Sequence, residues 1–496
     1  MKKENTSYKI LLIAAIVLMT AAALVFVIVF NDNRSSNPES VSQPDPGPGE
    51  ADPAIENPPL SDDDTDAGFD PAPDLITSSV VRPADRFVVY QLATENPGLT
   101  AELDEEAQSH DCAAVSLVVY DGNEGTYYSY RFGHADIAGQ RLVKDDTKFR
   151  IASLSKLVVV IVAMKLVDDD KLDLDEDISG YLGYTVRNPG HPDKPITSRM
   201  LMQHTSSIFD SQAFLDSIAG RAGASTENLL SGSASYWDVR PGTAFEYSNF
   251  GYSILAAVCE MISGEKLDDL ARVFLFEPLD IEASFLATGI RDKESIAMIY
   301  SSGYHLNRSV ETQLENSRSY DLGMDQHLAQ GSLVISALDY AKILAMLGNG
   351  GVFRNERILS PESVVEIHDA DFEGPGYKQG LSSRFTAGGS TGDAADQDDA
   401  ERRNSGKEWQ YVNIDGNIEP SDGFYWHTGS AFGVFAQYIY MASSGTDEGV
   451  IDVSSSRGVV VITTGANTDR SATGMINVCT HLSEIAWRGL GFNKLD

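Results

Sequence analysis

Two short segments of this sequence pair a serine with a lysine three residues later. Ser153 and Lys156 belong to the segment Ser-Leu-Ser-Lys, and Ser263 and Lys266 belong to Ser-Gly-Glu-Lys. Residues three apart share one face of a helix, so the hydroxyl and the amine of such a pair can meet. A serine hydroxyl becomes a nucleophile when a base beside it accepts its proton. The spacing predicts nucleophilic catalysis, but its second occurrence shows that the motif alone is not diagnostic.

The surroundings of the two pairs differ. Ser153 opens a run, 157–164, that is apolar on all sides, as is typical of a buried helix. Burial disfavours the charged amine and lowers a lysine pKa from about 10.4, so Lys156 could serve as a base. Ser263 instead follows an apolar run and precedes Gly264, which indicates a helix end in solvent. From these residues alone a second interpretation stays open, in which Ser153 only caps the helix and the amine of Lys156 reaches solvent.

A tyrosine and an asparagine downstream could complete such a site. Tyr247 and Asn249 lie in the segment Tyr-Ser-Asn. A phenol beside cationic groups can relay protons, and an asparagine offers both a donor and an acceptor to an amide substrate. Tyr-x-Asn recurs at Tyr411 and Asn413 in a polar segment, which we interpret as a turn.

The segment His427-Thr428-Gly429 comes shortly before an apolar strand predicted to begin near Gly433. A cation or donor, a hydroxyl and a glycine on a strand edge would suit a substrate carboxylate and a close approach of the backbone.

The ordered trio Ser-x-x-Lys, Tyr-x-Asn and His-Thr-Gly resembles the serine β-lactamase and penicillin-binding class. The Tyr-x-Asn form is similar to class C β-lactamases, D-alanyl-D-alanine carboxypeptidases and related esterases. The resemblance covers roughly residues 87–496 and is carried also by the segments 147–156, 164–182, 201–208, 241–255 and 331–351.

This resemblance implies a role for each matching residue. Ser153 would be the acylated nucleophile, Lys156 the amine that activates it, and Tyr247 a general acid and base. Whether Lys156 or Tyr247 is the operative base stays open. The residues implied in substrate binding are Asn249, which orients the substrate and the lysine, the strand edge His427, Thr428 and Gly429, and Ser430, whose backbone N–H would form the oxyanion hole with that of Ser153.

Two positions depart from the family pattern. His427 stands where β-lactamases of this class usually have lysine, and the histidine form occurs among carboxypeptidases and other relatives. We therefore expect a carboxypeptidase-like or esterase-like serine hydrolase, with a β-lactamase or a slow-turnover, membrane-tethered penicillin-binding sensor as the alternatives. Ser207 stands where the family usually has glycine, in the segment 204–207, which we interpret as a structural turn.

Composition narrows the possible partners. The 496 residues include 37 basic and 73 acidic ones, a net charge of −36, which disfavours binding to nucleic acid. The three cysteines, Cys112, Cys259 and Cys479, are widely spaced, and we expect buried small side chains, although a disulfide between two of them stays possible. The histidines show no metal-ligand spacing, so we expect neither a metal nor a cofactor.

The N-terminal part has a different character from the rest. Residues 10–30 form an uncharged apolar run long enough to span a bilayer, and lysines precede it within a short tail, 1–9. A positive flank stays inside, so the run predicts a single-pass cell-membrane anchor with the bulk of the chain outside, where cell-wall peptide would be a substrate. A cleaved signal peptide is the alternative. Residues 31–79, rich in Pro, Asp, Ser and Gly, predict a disordered linker.

The remainder, 80–496, predicts one hydrolase domain of the α+β class, an α/β sandwich. Strand-like runs occur near both ends, at 113–120 and 126–132 and at 433–441 and 458–464, and helical runs occur between them and at 472–490. This order predicts an antiparallel sheet built from both chain ends, with a helical region inserted in the middle and a flexible insertion at about 387–407.

Overall fold

The centre of the fold is a large β-sheet that joins the two ends of the chain. The computed structural model describes residues 87–122, 124–221, 224–317, 320–370, 372–373, 377–386, 424–441, 456–470 and 475–492. The sheet has ten strands in the order β1-β3-β2-β16-β15-β14-β13-β12-β11, with β4 paired to β3. These strands are β1 (Val88–Gln91), β2 (Ala114–Asp121), β3 (Thr126–Asp136), β4 (Arg141–Leu142), β11 (Phe372–Glu373), β12 (Lys378–Gln379), β13 (Arg384–Thr386), β14 (Phe424–Ala431), β15 (Val434–Met441) and β16 (Arg457–Thr464).

The predicted strands near both termini are confirmed, and β16 pairs directly with β2. The prediction of an antiparallel sheet holds for the pairs from β3 through β2, β16, β15 and β14 to β13. It is wrong at one edge, where β1 pairs with β3 in parallel. Helices and β2 separate β1 from its partner along the chain, so no tight hairpin turn forces these two strands to run in opposite directions.

Short strands outside this sheet form three two-stranded pairs: β5 (Phe149–Arg150) with β8 (Val334–Ile335), β6 (Ile299–Ser301) with β7 (His305–Arg308), and β9 (Val352–Phe353) with β10 (Glu356–Arg357). The described helices are α1 (Leu92–Glu95), α2 (Pro97–Ser109), α3 (Ser155–Asp168), α4 (Ile178–Leu182), α5 (Ser198–Met202), α6 (Gln212–Ile218), α7 (Thr226–Leu230), α8 (Asn249–Ser263), α9 (Leu267–Ala271), α10 (Val310–Glu315), α11 (Leu328–Gly331), α12 (Ala337–Gly348), α13 (Pro361–His368) and α14 (Asn477–Gly489).

Helices cover both faces of the sheet because the central strands are apolar on both. Along β16, Val459 and Val461 belong to one buried cluster, whereas Val460 and Ile462 belong to the other. Side chains alternate between the faces of a strand, so each face receives its own apolar row. The first cluster includes the apolar sides of α2 and α14, and the second includes α3, α8 and α12. The fold is therefore a mixed α+β sandwich.

The apolar helix α3 lies in the middle of the second cluster. Its residues from Ser155 to Met164 are all buried, as the sequence predicted for a helix that is apolar on every side. Helix α8 packs against it and begins where the hydroxyl of Ser248 accepts a hydrogen bond from the N–H of Gly251, at 2.9 Å. It ends at Ser263, and Gly264 follows with a φ of 75°. The second Ser-x-x-Lys copy is thus a helix end, as predicted.

Cys112, Cys259 and Cys479 are buried free thiols, so the interpretation as small core side chains is confirmed and no pair of them forms a disulfide. Within the described part of the chain, no helix has both the length and the apolar content that a membrane span requires. The predicted tail 1–9, anchor 10–30, linker 31–79 and insertion 387–407, like the Tyr-x-Asn copy at 411–413, lie outside the described residues.

Candidate active site

The first Ser-x-x-Lys pair lies where a short 3-10 turn, Ala152–Leu154, runs into α3. Ala152 has a φ of 50°, a left-handed conformation that turns the chain sharply just before Ser153. The N-cap of α3 is Leu154, which makes no side-chain cap, and Lys156 has 0% of its surface exposed. The alternative of a capping serine and a lysine that reaches solvent is therefore wrong.

The amine of Lys156 contacts three oxygen atoms. Its Nζ lies 2.8 Å from Oδ1 of Asn249, 2.7 Å from the carbonyl oxygen of Gln330 and 3.3 Å from Oγ of Ser153. The two carbonyl oxygens can only accept, so two N–H bonds of the amine point at them. The remaining tetrahedral position faces the hydroxyl of Ser153. A proton can pass along this contact, which is the arrangement that activates a serine nucleophile.

The carboxylate of Asp210 fixes the orientation of the Asn249 amide. Nδ2 of Asn249 donates to Oδ2 of Asp210 at 2.7 Å, which leaves Oδ1 facing Lys156. The other oxygen of Asp210 accepts from the backbone N–H of Phe250 at 2.9 Å and from the hydroxyl of Ser248 at 3.4 Å. Asp210 was missed by the sequence analysis, because it lies just beyond the segment that we interpreted only as a turn.

The ring of Tyr247 packs against the same amine. Nζ of Lys156 lies 5.1 Å from the centroid of this half-buried ring. The centroid of the His427 ring lies 6.3 Å from the centroid of the Tyr247 ring. On its other side Tyr247 contacts the ring of His204, with 4.4 Å between centroids. The aromatic ring of Tyr247 thus lies near both the amine of Lys156 and the ring of His427 on β14.

The segment 204–207 holds this tyrosine in place and is structural, as the sequence predicted. Nδ1 of His204 accepts from the N–H of Ser248 at 3.1 Å, and the carbonyl of His204 accepts from the N–H of Glu246 at 2.8 Å. Burial, with the charges of Lys156 and Arg384, lowers the pKa of His204 well below its usual range, so the ring is neutral. Because Nδ1 of the neutral ring carries no proton, it can accept this hydrogen bond from Ser248, which stabilises the turn that contains Tyr247.

Ser207 has a φ of 65°, which explains why a glycine is common at this position of the family pattern. Its hydroxyl accepts a hydrogen bond from Nδ2 of Asn188 at 2.9 Å, and both residues are buried. This contact offsets part of the strain, and the departure from glycine leaves the turn intact.

The strand edge predicted at 427–429 lies in β14, directly beside the nucleophile. Strand β13 pairs only with residues 424–426 of β14, so the segment that follows is open on that side to the turn at Ser153. A Cβ atom at Gly429 would lie 2.4 Å from the carbonyl oxygen of Ile151 and 3.3 Å from the backbone nitrogen of Ser153. Only glycine permits this approach. It brings the N–H of Ser153 next to β14, where the exposed Ser430 follows.

His427 is a neutral ring in this environment. Its Nδ1 lies 2.8 Å from the carbonyl of Thr428, which can only accept, so this nitrogen carries the proton. Burial, with the charges of Arg384 and Lys156, lowers the pKa of His427 well below its usual range. Of the two roles expected for His427, a cation or a donor, the cation is disfavoured; Nδ1 donates to the carbonyl of Thr428, and Nε2 is left as a hydrogen-bond acceptor.

Two arginines supply positive charge at this edge instead. Nη1 of Arg470 donates to the hydroxyl of Thr428 at 3.2 Å. Arg384 lies between two aromatic rings, 4.6 Å from the centroid of Tyr377 and 4.9 Å from that of Trp426. Burial and the charge of Arg384 both lower the pKa of Arg470, which places the two like charges near each other. Neither arginine is predicted from the sequence, since isolated arginines in polar segments carry no motif.

We predict that Asp210→Asn slows acylation of Ser153 about 10- to 100-fold, the effect of losing one hydrogen bond to a charged group. An amide at position 210 lets the Asn249 side chain rotate and turn Nδ2, a donor, toward Lys156. The measurement is the rate of labelling by a fluorophosphonate across a pH series, since a change in the serine's activation also alters the pH profile.

The matched control is Asp216→Asn, which changes a carboxylate that binds Arg221 on the surface. An Asp210→Asn variant that labels at the wild-type rate, with an unchanged pH profile, would show that the Asn249 orientation does not depend on Asp210.

Known proteins are similar to this chain in sequence and in fold. The family model described as Beta-lactamase matches residues 99–476. Penicillin-binding protein 4* of Bacillus subtilis (strain 168) is 28% identical over 157 residues, which are 30% of this chain and 33% of that protein. The chain thus matches only about a third of that relative's length.

Solved structures agree with the fold. A penicillin-binding protein homologue from Pyrococcus abyssi, described as octameric, superposes with a TM-score of 0.56 at 19% identity, covering 80% of this chain and 77% of that one. A class C β-lactamase gives a TM-score of 0.56 at 15% identity and covers 80% and 97%. Because the family model matches more than half of the sequence, the chain belongs to the β-lactamase family of serine hydrolases, which includes penicillin-binding proteins.

Proposed function

We propose that this chain hydrolyses substrates through an acyl-enzyme on Ser153, with D-alanyl-D-alanine carboxypeptidase-like activity first and esterase-like activity second. The observation that carries the proposal is the contact set of Lys156. A fully buried amine is held by two carbonyl oxygens so that its remaining position faces the hydroxyl of Ser153. A binding module that forms no acyl-enzyme would have no need for this costly arrangement.

In the proposed reaction the hydroxyl oxygen of Ser153 attacks the substrate carbonyl while its proton moves to Lys156 or Tyr247. The oxyanion is stabilised by the backbone N–H groups of Ser153 and Ser430, which the close approach at Gly429 supports. The leaving group takes a proton through Tyr247, and water then releases the acyl group and restores the serine.

The charge at the strand edge favours a substrate with a free carboxylate. Arg470 binds the hydroxyl of Thr428, and Arg384 lies nearby. Two like charges in a partly buried site repel each other, and a bound carboxylate would offset this repulsion. A peptide that ends in a carboxylate has such a group close to its scissile bond, whereas a neutral ester does not.

The alternatives use the same nucleophile. The neutral His427, in place of the usual lysine, supports a preference for carboxypeptidase or esterase chemistry over β-lactam hydrolysis. A slow-turnover penicillin-binding sensor would share every contact of Lys156 and differ only in the release of the acyl group.

We also propose that the hydrolase works outside the cell membrane, anchored by the apolar run 10–30 that lysines precede. A fluorophosphonate that cannot cross membranes should then label Ser153 in intact cells, and the labelled chain should stay with the membrane fraction. Labelling only after cell lysis would contradict this location, and a labelled soluble chain lacking 1–30 would identify a cleaved signal peptide.

We predict that Ser153→Ala lowers every hydrolytic activity of the full chain by at least about 1000-fold, because the acyl-enzyme can no longer form. The measurement is turnover of three substrates: a D-Ala-D-Ala peptide, a short-chain nitrophenyl ester and a chromogenic cephalosporin. We expect the peptide or the ester to be turned over faster than the cephalosporin.

Ser263→Ala is the matched control, since its hydroxyl donates to the carbonyl of Cys259 at 2.8 Å and accepts from the N–H of Glu265 at 3.2 Å, both at the end of α8. Hydrolysis that survives in Ser153→Ala would contradict the proposal. A stable adduct with fluorescent penicillin, without turnover of any of the three substrates, would identify the sensor instead.

We predict that Arg470→Ala raises KM for the carboxylate-bearing peptide about 10- to 100-fold and changes the KM of the neutral ester little, because it removes one charge-assisted hydrogen bond. The control is Arg291→Ala, whose side chain is 86% exposed. Equal effects on both substrates would show that Arg470 supports the fold of the strand edge and does not bind the carboxylate.

A further inference from the structure

Three ligand-type side chains meet on the face of the sheet that lies opposite α3. Glu106 and His110 are one turn apart at the end of α2, and His481 lies in the first half of α14. The two helices pack against each other in the first buried cluster, so the meeting point is fixed by the core. The sequence does not predict this cluster, because His481 lies 371 positions after His110 and only the fold brings them together.

One carboxylate oxygen faces both imidazole rings. Oε1 of Glu106 lies 3.1 Å from Nε2 of His110 and 2.9 Å from Nδ1 of His481. All three atoms lie within 4.8 Å of one another, and the two rings are tilted by 56°. The side chains are 22%, 19% and 37% exposed in the order Glu106, His110, His481, so an ion could reach them from solvent.

The two nitrogens of the His110 ring face different partners. Nδ1 lies 2.9 Å from the backbone carbonyl oxygen of Asn467, which can only accept, so Nδ1 donates to it. The other nitrogen, Nε2, faces the carboxylate of Glu106. The fold therefore directs Nε2 of His110 at the same oxygen that Nδ1 of His481 faces.

We propose that Glu106, His110 and His481 bind a Zn²⁺ ion, with water as the fourth ligand. Two histidines and a glutamate are a known ligand set for zinc, and bonds of about 2.0–2.1 Å place tetrahedral ligands about 3.3 Å apart. The two contacts of Glu106 are already within a few tenths of an ångström of that spacing. The Asn467 carbonyl holds His110 by its other nitrogen, as outer partners of metal ligands do.

The ion would join the two helices that contain residues near the two ends of the folded chain, and we expect it to raise the Tm by a few degrees.

The test is a titration of the metal-free full chain with Zn²⁺ by calorimetry at about pH 7.5, with Co²⁺ absorption as a probe of the ligand geometry. We expect one tight site, with proton release that weakens binding as the pH falls. His481→Ala should weaken binding by more than the roughly 10- to 100-fold that loss of an outer partner costs. Glu106→Gln, which keeps the shape of the side chain, should weaken it as well.

The control is His305→Ala, an exposed histidine on β7. Binding weaker than on the order of 100 μM, or tight binding retained in both His481→Ala and Glu106→Gln, would overturn the proposal. Circular dichroism of each variant identifies any that fails to fold, and His481, the most exposed ligand, gives the safest substitution. Ser153→Ala should bind Zn²⁺ like the wild type, so this test and that of the hydrolase fail independently.

Discussion

The buried amine of Lys156 is the constraint on which the rest of the site depends. Removing a cationic group from water costs several kcal/mol unless hydrogen bonds replace its hydration. Here the replacement comes from three separate parts of the chain: the turn at Ser153, the start of α8 at Asn249 and the carbonyl of Gln330 in α11. A lysine in this position therefore fixes the relative positions of three elements that the apolar core alone would leave free to shift.

The second constraint is the distance between the nucleophile and the sheet. The turn at Ala152 lies between two glycines, Gly331 and Gly429. A Cβ atom at Gly331 would come within 3.2 Å of the Ala152 carbonyl carbon, and one at Gly429 within 2.4 Å of the Ile151 oxygen. The turn is thus held between α11 and β14 without a side chain on either contact. This packing places the backbone N–H of Ser153 next to the edge of β14.

The sequence predicts the helices and strands of this site better than the contacts between residues that are distant along the chain. The apolar run after Ser153 distinguishes it from Ser263, and the alternating strands near both termini predict the central pairing of β2 with β16. Asp210, Arg384 and Arg470 could not be predicted, because their roles come from contacts with residues about 40 positions away in each case. The parallel direction of the edge strand β1 was not predicted, because it depends on the path of the helices between β1 and β3.

The charges of the site explain why a histidine can stand at position 427. The chain carries −36 overall, yet Lys156, Arg384 and Arg470 together make the cleft positive. Burial and that positive potential keep both His204 and His427 neutral, because a fourth and a fifth cation there would be strongly disfavoured. The two arginines supply the positive charge at the strand edge instead. In the function that we propose, a substrate carboxylate would bind there without depending on the charge of residue 427, so a lysine at that position is not needed to supply charge.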